Sequence, residues 1–124
     1  MKKITLKIDD MVLDAELNDS PTANAVWEAL PISARGNLWG DEIYFEIPVN
    51  VTFADKKAVV DKGDLGYWEP GRAFCIFYGP TPASRGGEIR PASPVNVIGR
   101  VKGNVEQLKD LSRPPQVVIE RIDT

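Results

Sequence analysis

The sequence predicts a mainly β fold, a closed antiparallel barrel with two short helices covering its ends or openings. Three observations carry this expectation. Short segments alternate apolar and polar residues, the mark of strands with one buried face. Turn residues punctuate those segments at short intervals. One segment, Ala73–Tyr78, is apolar on both faces and so needs cover on both sides. Closing such a sheet removes the exposed edges that invite aggregation.

The elements follow in order. In Lys3–Ile8, Ile4, Leu6 and Ile8 face one way and Lys3, Thr5 and Lys7 the other. Met11–Leu17 repeats the pattern, and only Asp9-Asp10 lies between the two, so a β-hairpin is expected. Ser20-Pro21 opens a helix: the serine hydroxyl can accept from orphan amides, and proline suits the first helical position. Ala23, Val26, Trp27 and Leu30 fall on one helical face, and Pro31 ends the helix. Ile32–Gly40 reads as a loop.

Asp41–Ile47 alternates again, with Ile43, Phe45 and Ile47 expected in the core and Glu42, Tyr44 and Glu46 pointing outward. Pro48 interrupts the run. Val49–Phe53 and Ala58–Val60 read as short strands around the turn Ala54–Lys57. Leu65–Trp68 and Ala73–Tyr78 form a central hairpin across Glu69-Pro70-Gly71-Arg72. Thr81–Ser93 is a long loop with Arg85-Gly86-Gly87-Glu88 at its tip, a candidate functional loop or a plain surface excursion. Val95–Val101 is a strand. Asn104 and Gln107 resemble a capping box opening a short helix, with Val105, Leu108 and Leu111 inward. Pro114-Pro115 stops it, and Gln116–Ile122 is a last β-branched strand. The strands number eight or nine by this reading. There is no internal repeat, low-complexity tract or linker, so a single domain over residues 1–124 is expected.

Composition narrows the chemistry. A chain of 124 residues, 43% hydrophobic and 27% charged, suits a soluble globular domain. No apolar run approaches the roughly 20 residues that span a bilayer, and Lys7, Asp9 and Asp10 break any secretory h-region. A cytoplasmic protein without membrane partners is therefore expected. The net charge of −3 and dispersed basic residues argue against nucleic acid as a partner. The chain has no histidine, which removes the usual general base near neutral pH and the commonest metal ligand. No metal and no cofactor is expected. The single cysteine, Cys75, lies in the apolar run and reads as a small buried hydrophobe.

Three stretches then combine: Leu30-Pro31-Ile32 with Trp39-Gly40-Asp41-Glu42-Ile43-Tyr44-Phe45; Gly63-Asp64-Leu65-Gly66-Tyr67-Trp68 with Pro70-Gly71 and Cys75-Ile76-Phe77-Tyr78-Gly79-Pro80-Thr81-Pro82; and Ser93-Pro94-Val95-Asn96-Val97-Ile98-Gly99-Arg100-Val101. Together they resemble the small prokaryotic family of cyclophilin-like domain proteins of unknown function, over nearly the whole chain. The resemblance implies a closed antiparallel eight-stranded cyclophilin-like barrel with two short capping helices. True cyclophilins are peptidyl-prolyl isomerases. They lower a peptide-bond rotation barrier of about 18–20 kcal/mol by holding proline in an apolar pocket and aiming an arginine at the prolyl nitrogen. Their arginine belongs to a strand reading Phe-His-Arg, where this chain has Tyr44-Phe45-Glu46. No catalytic residue carries over.

The candidate site is a groove on the barrel wall lined by Trp39, Tyr44, Tyr67, Trp68, Phe74 and Tyr78, because aromatic rings pack well against proline and small apolar ligands. The alternative for each is ordinary core or rim packing. Arg72, held after Pro70-Gly71, is a candidate clamp for a carbonyl or carboxylate, or an exposed turn residue. Glu42 and Glu46, with Asp41 adjacent, form a candidate acidic face, since paired carboxylates can share a proton or hold a hard cation, or else a solvated surface. The expected function is a binding module holding a small apolar or proline-containing ligand without efficient catalysis. The alternatives are an isomerase using Arg72 or Arg35 as donor, and a carboxylate enzyme using Glu42 and Glu46.

Overall fold

The structure, a computed structural model, describes residues 1–52 and 55–122. Nine strands form one antiparallel sheet: β1 (Lys2–Ile8), β2 (Met11–Leu17), β3 (Ile32–Arg35), β4 (Asn37–Leu38), β5 (Glu42–Glu46), β6 (Asp64–Trp68), β7 (Ala73–Phe77), β8 (Asn96–Val101) and β9 (Gln116–Arg121). Their spatial order is β3-β9-β1-β2-β8-β6-β7-β5-β4. The expected β1–β2 hairpin is present, with Ile8 opposite Met11 across Asp9-Asp10.

The two outermost strands are neighbours in sequence. β3 pairs with β9 and β4 with β5, and only Gly36 lies between them. Ile32–Leu38 is thus one bent strand that closes the sheet on itself, and counted so the barrel has eight strands. The Gly36 amide donates to the Pro115 carbonyl at 2.7 Å, and a Cβ on Gly36 would stand 2.8 Å from Cγ2 of Ile43. The seam needs that close approach. Reading Ile32–Gly40 as a loop missed both strands, because β3 finds its partner in distant β9 and β4, paired with β5 across a tight hairpin, is only two residues long.

Helix α1 (Pro21–Ala29) starts as expected, with Ser20 Oγ accepting from the Ala23 amide at 3.2 Å. Ala23, Val26 and Leu30 are buried against the barrel. The second expected helix is a 3-10 segment, Val105–Asp110, in which Asn104 Oδ1 accepts from the Glu106 amide at 3.0 Å. Val105 and Leu108 are buried there.

The expected strand Ala58–Val60 is not formed. That region holds only isolated bridges, Lys57 to Val95 and Val60 to Ile89. Residues 49–52 also lie outside the strands; Phe53 and Ala54, in the expected strand and turn, lie outside the described residues. The backbone of residues 57–60 spends its hydrogen bonds on the 89–95 segment, so it cannot build a local hairpin.

Two apolar clusters result. Inside the barrel lie Ile4, Leu6, Leu17, Phe45, Phe74 and their neighbours. Outside, on the far face of β5, β7 and β6, lie Val60, Ala73, Cys75, Phe77, Ile89 and Val95. This second cluster is why β7 is buried at every position. The segment from Gly79 to Val95 folds back over the outer wall and covers it.

Candidate functional site

Register decides which side chains meet on the outer wall. Glu42 stands opposite Phe77, Tyr44 opposite Cys75, and Trp68 opposite Ala73. Glu42, Tyr44 and Trp68 therefore share the outer face of three adjacent strands. The hairpin turn from β4 to β5, in which the Trp39 amide donates to the Glu42 carbonyl at 3.0 Å, brings Trp39 to the same place. From the covering segment come Pro91, Ala92 and Val95. These seven residues line a hollow of about 230 Å³.

The hollow has firm walls. The Trp68 indole N–H donates to Ser93 Oγ at 2.7 Å. Ser84 Oγ accepts from the amides of Thr81, at 2.9 Å, and Arg90, at 3.0 Å, and the Thr81 hydroxyl donates to the Arg90 carbonyl. These bonds tie the two arms of the covering segment together just before Pro91. The exposed tip, Arg85 to Gly87, lies beyond that tie.

Glu42 is the one carboxylate in the lining, and its residue is only 5% exposed. The expectation that it points into solvent is corrected: the outer face of β5 is not a solvent face where Pro91–Val95 crosses it. Burial pushes the Glu42 carboxyl up to about 7, against a smaller downward pull from the Cys75 thiol. Cys75 itself is buried, with Sγ 3.8 Å from the Ala73 carbonyl, and burial followed by the Glu42 charge drives its pKa well up, so the thiol is held neutral.

The other candidates separate. Trp39, Tyr44 and Trp68 come together at the hollow. Tyr67 and Phe74 do not reach it: alternation turns them into the barrel, where Phe74 stacks on Phe45 at 5.5 Å and the Tyr67 hydroxyl donates to the Val49 carbonyl at 2.6 Å. Tyr78 is also interior, its pKa pushed up to about 12 by burial and by the charges of Asp41 and Glu42. Arg72 is an exposed turn residue with φ of 48°, 3.7 Å from Glu46. Glu46 is exposed and outside the lining, so Glu42 and Glu46 are not brought into one site. Arg35 lies in a different depression, with Asp9, Asp10 and Arg113. Among the described residues, no three acidic or cysteine side chains converge as a metal cradle. Nor is any helix of these residues long and apolar enough to cross a membrane.

Sequence reading did not single out Pro91, Ala92 and Val95. The available signal for Pro91 and Ala92 was the long segment Thr81–Ser93, whose length left a functional loop and a plain surface excursion both open and did not say which wall it would cover.

The chain resembles known proteins along nearly its full length. Its structure superposes on the solution structure of a hypothetical protein from Archaeoglobus fulgidus with a TM-score of 0.83 and 42% sequence identity, covering 98% of this chain and 95% of that one. No curated protein matches it significantly. The family model described as cyclophilin-like matches residues 2–120, and the chain belongs to that cyclophilin-like family.

Proposed function

We propose that the protein is a binding module whose outer-wall hollow holds a small apolar or proline-containing ligand, without efficient catalysis. One observation carries this reading. Tyr67, Phe74 and Tyr78 are buried in the core, whereas Trp39, Tyr44 and Trp68 remain partly accessible around one hollow braced by a hydrogen-bonded segment. Concave, mostly apolar sites with one or two polar groups are the usual form of small-ligand sites.

The isomerase reading needs a donor for the prolyl nitrogen, and no arginine is among the residues lining the hollow. A protease-coupled assay on Xaa-Pro peptides is expected to show no rate enhancement; enhancement abolished by Trp68→Ala would reverse that conclusion. The binding reading is tested by NMR titration with short proline peptides and small apolar probes. Shifts confined to the Trp39 and Trp68 indoles and the 90–95 amides, lost in a Tyr44→Ala, Trp68→Ala double variant, are expected. Absence of any saturable shift at millimolar probe would refute it.

A further inference from the structure

We propose that the hollow takes an organic cation, an alkylated ammonium group, caged by Trp39, Tyr44 and Trp68 and neutralised by the Glu42 carboxylate. This rests on reading the hollow as a small-ligand site, and it specifies the charge and chemistry of the ligand's buried end.

A buried carboxylate needs either a proton or a countercharge. Elsewhere among the described residues the acids with cationic neighbours include Asp41, 3.8 Å from Lys109, Glu69, 2.9 Å from Lys56, and Glu88, 2.6 Å from Arg90. Glu42 forms no ion pair among these residues, and its polar neighbour is a neutral thiol. An incoming cation supplies what the protein leaves out. The rest of the lining suits such a guest. Aromatic faces attract cations by about 0.5–2 kcal/mol each, more as the site dries. A primary ammonium carries three donors that all require acceptors. The lining offers one carboxylate amid rings, Pro91, Ala92 and Val95, so a head whose N–H groups are replaced by methyl groups fits it better. The volume of about 230 Å³ suits a head group rather than a large ligand. The chain's net charge of −3 adds a general attraction for cations.

The test compares choline and tetramethylammonium with the neutral isostere of choline, in which carbon replaces the ammonium nitrogen. The readouts are indole N–H shifts and tryptophan fluorescence on the intact chain. Choline is expected to bind roughly tenfold or more tightly than its isostere. Glu42→Gln should remove most of that difference, bringing choline's affinity down towards the isostere's in the same variant. Since the cation must displace the Glu42 proton, its affinity should fall roughly tenfold from about pH 8 to about pH 6. Tyr44, Cys75, Tyr78 and Asp41 also stand around Glu42; burial raises the pKa values of Cys75 and Tyr78, which stay protonated across that range, and Asp41 faces Lys109. If the isostere binds as tightly as choline, the cation proposal is overturned and the hollow remains a neutral apolar site. If neither ligand nor any apolar probe binds, the site reading falls with it. Should Glu42→Gln fail to fold, the choline and isostere comparison on the unaltered chain decides alone.

Discussion

Glu42 shows how one side chain ties stability to pH. Its carboxyl ordinarily titrates at 4.5, and burial in the folded chain moves it to about 7. Below pH 4.5 the group is protonated in both states and makes no difference. Between the two values the unfolded chain gives up its proton while the folded chain keeps it. Stability therefore falls as pH rises through that window and levels off above it. The shift corresponds to about 3 kcal/mol as an order of magnitude. Glu42→Gln should remove this contribution, so that its urea midpoint moves less than the parent's between pH 5 and pH 8, gaining most at the higher value. Equal slopes in the two proteins would mean that the carboxyl is not held as the structure places it. A second test concerns Trp68. A Cβ added to Gly71 would lie 2.7 Å from Cζ3 of the Trp68 ring, so Gly71→Ala must push the indole away from Ser93. A loss of about 1–3 kcal/mol and altered tryptophan emission are expected. An unchanged spectrum would contradict the packing of that wall.

The elements differ in how far the sequence announces them. Lys2–Ile8, Met11–Leu17 and Glu42–Glu46 each carry a period-two apolar face, because one face of each meets the core and the period is set locally. Helix α1 is written in Ser20-Pro21 and Pro31 for the same reason. Ser20→Ala should cost about 1 kcal/mol, read as a lowered urea midpoint, since Ser20 Oγ both caps Ala23 and donates to Asn18 Oδ1. An unchanged midpoint would show that the cap bond is not formed. Alternation reveals that a strand has two faces; it does not reveal what crosses the outer one. That pattern turns Glu42 and Tyr44 outward without saying what covers them, and aromaticity alone offers Tyr67 and Phe74 to the same groove as Tyr44. Only the β5–β7–β6 register and the return of Pro91–Val95 sort the four correctly. β3 was illegible because it forms on β9, remote in sequence, and β4 because its two residues are too few to show a period, with Gly36 as the bend between them. Gly36→Val is expected to open this seam, costing about 1–3 kcal/mol by collision with Ile43. It would also expose strand edges, so faster aggregation on mild heating should accompany the loss. A variant as stable and soluble as the parent would show that the seam tolerates a side chain.

At the scale of the molecule, the barrel supports a second apolar layer on its outside, and the hollow belongs to that layer rather than to the barrel interior. The inner cluster is held by the closed ladder of nine strands. The outer one is held by a single covering segment, with Ile89 pinned beside Val60, whose amide donates to the Ile89 carbonyl at 3.0 Å. Layers with fewer contacts open locally at lower free energy than the global unfolding. Ile89→Ala removes buried methyl groups from the outer layer alone, a change that costs about 2–5 kcal/mol where a site cannot collapse. Much of that loss should fall on local opening. Amide exchange is therefore expected to accelerate at Val60, Arg90 and Val95, which bond to or within the covering segment, while Leu6 and Leu13 in the β1–β2 pair keep most of their protection. Ligand affinity should weaken in the same variant, because Pro91, Ala92 and Val95 form one wall of the hollow and lose their anchor. Uniform acceleration across both sets of amides would instead mean that the two layers unfold as one unit, and the hollow could then not be loosened without melting the barrel.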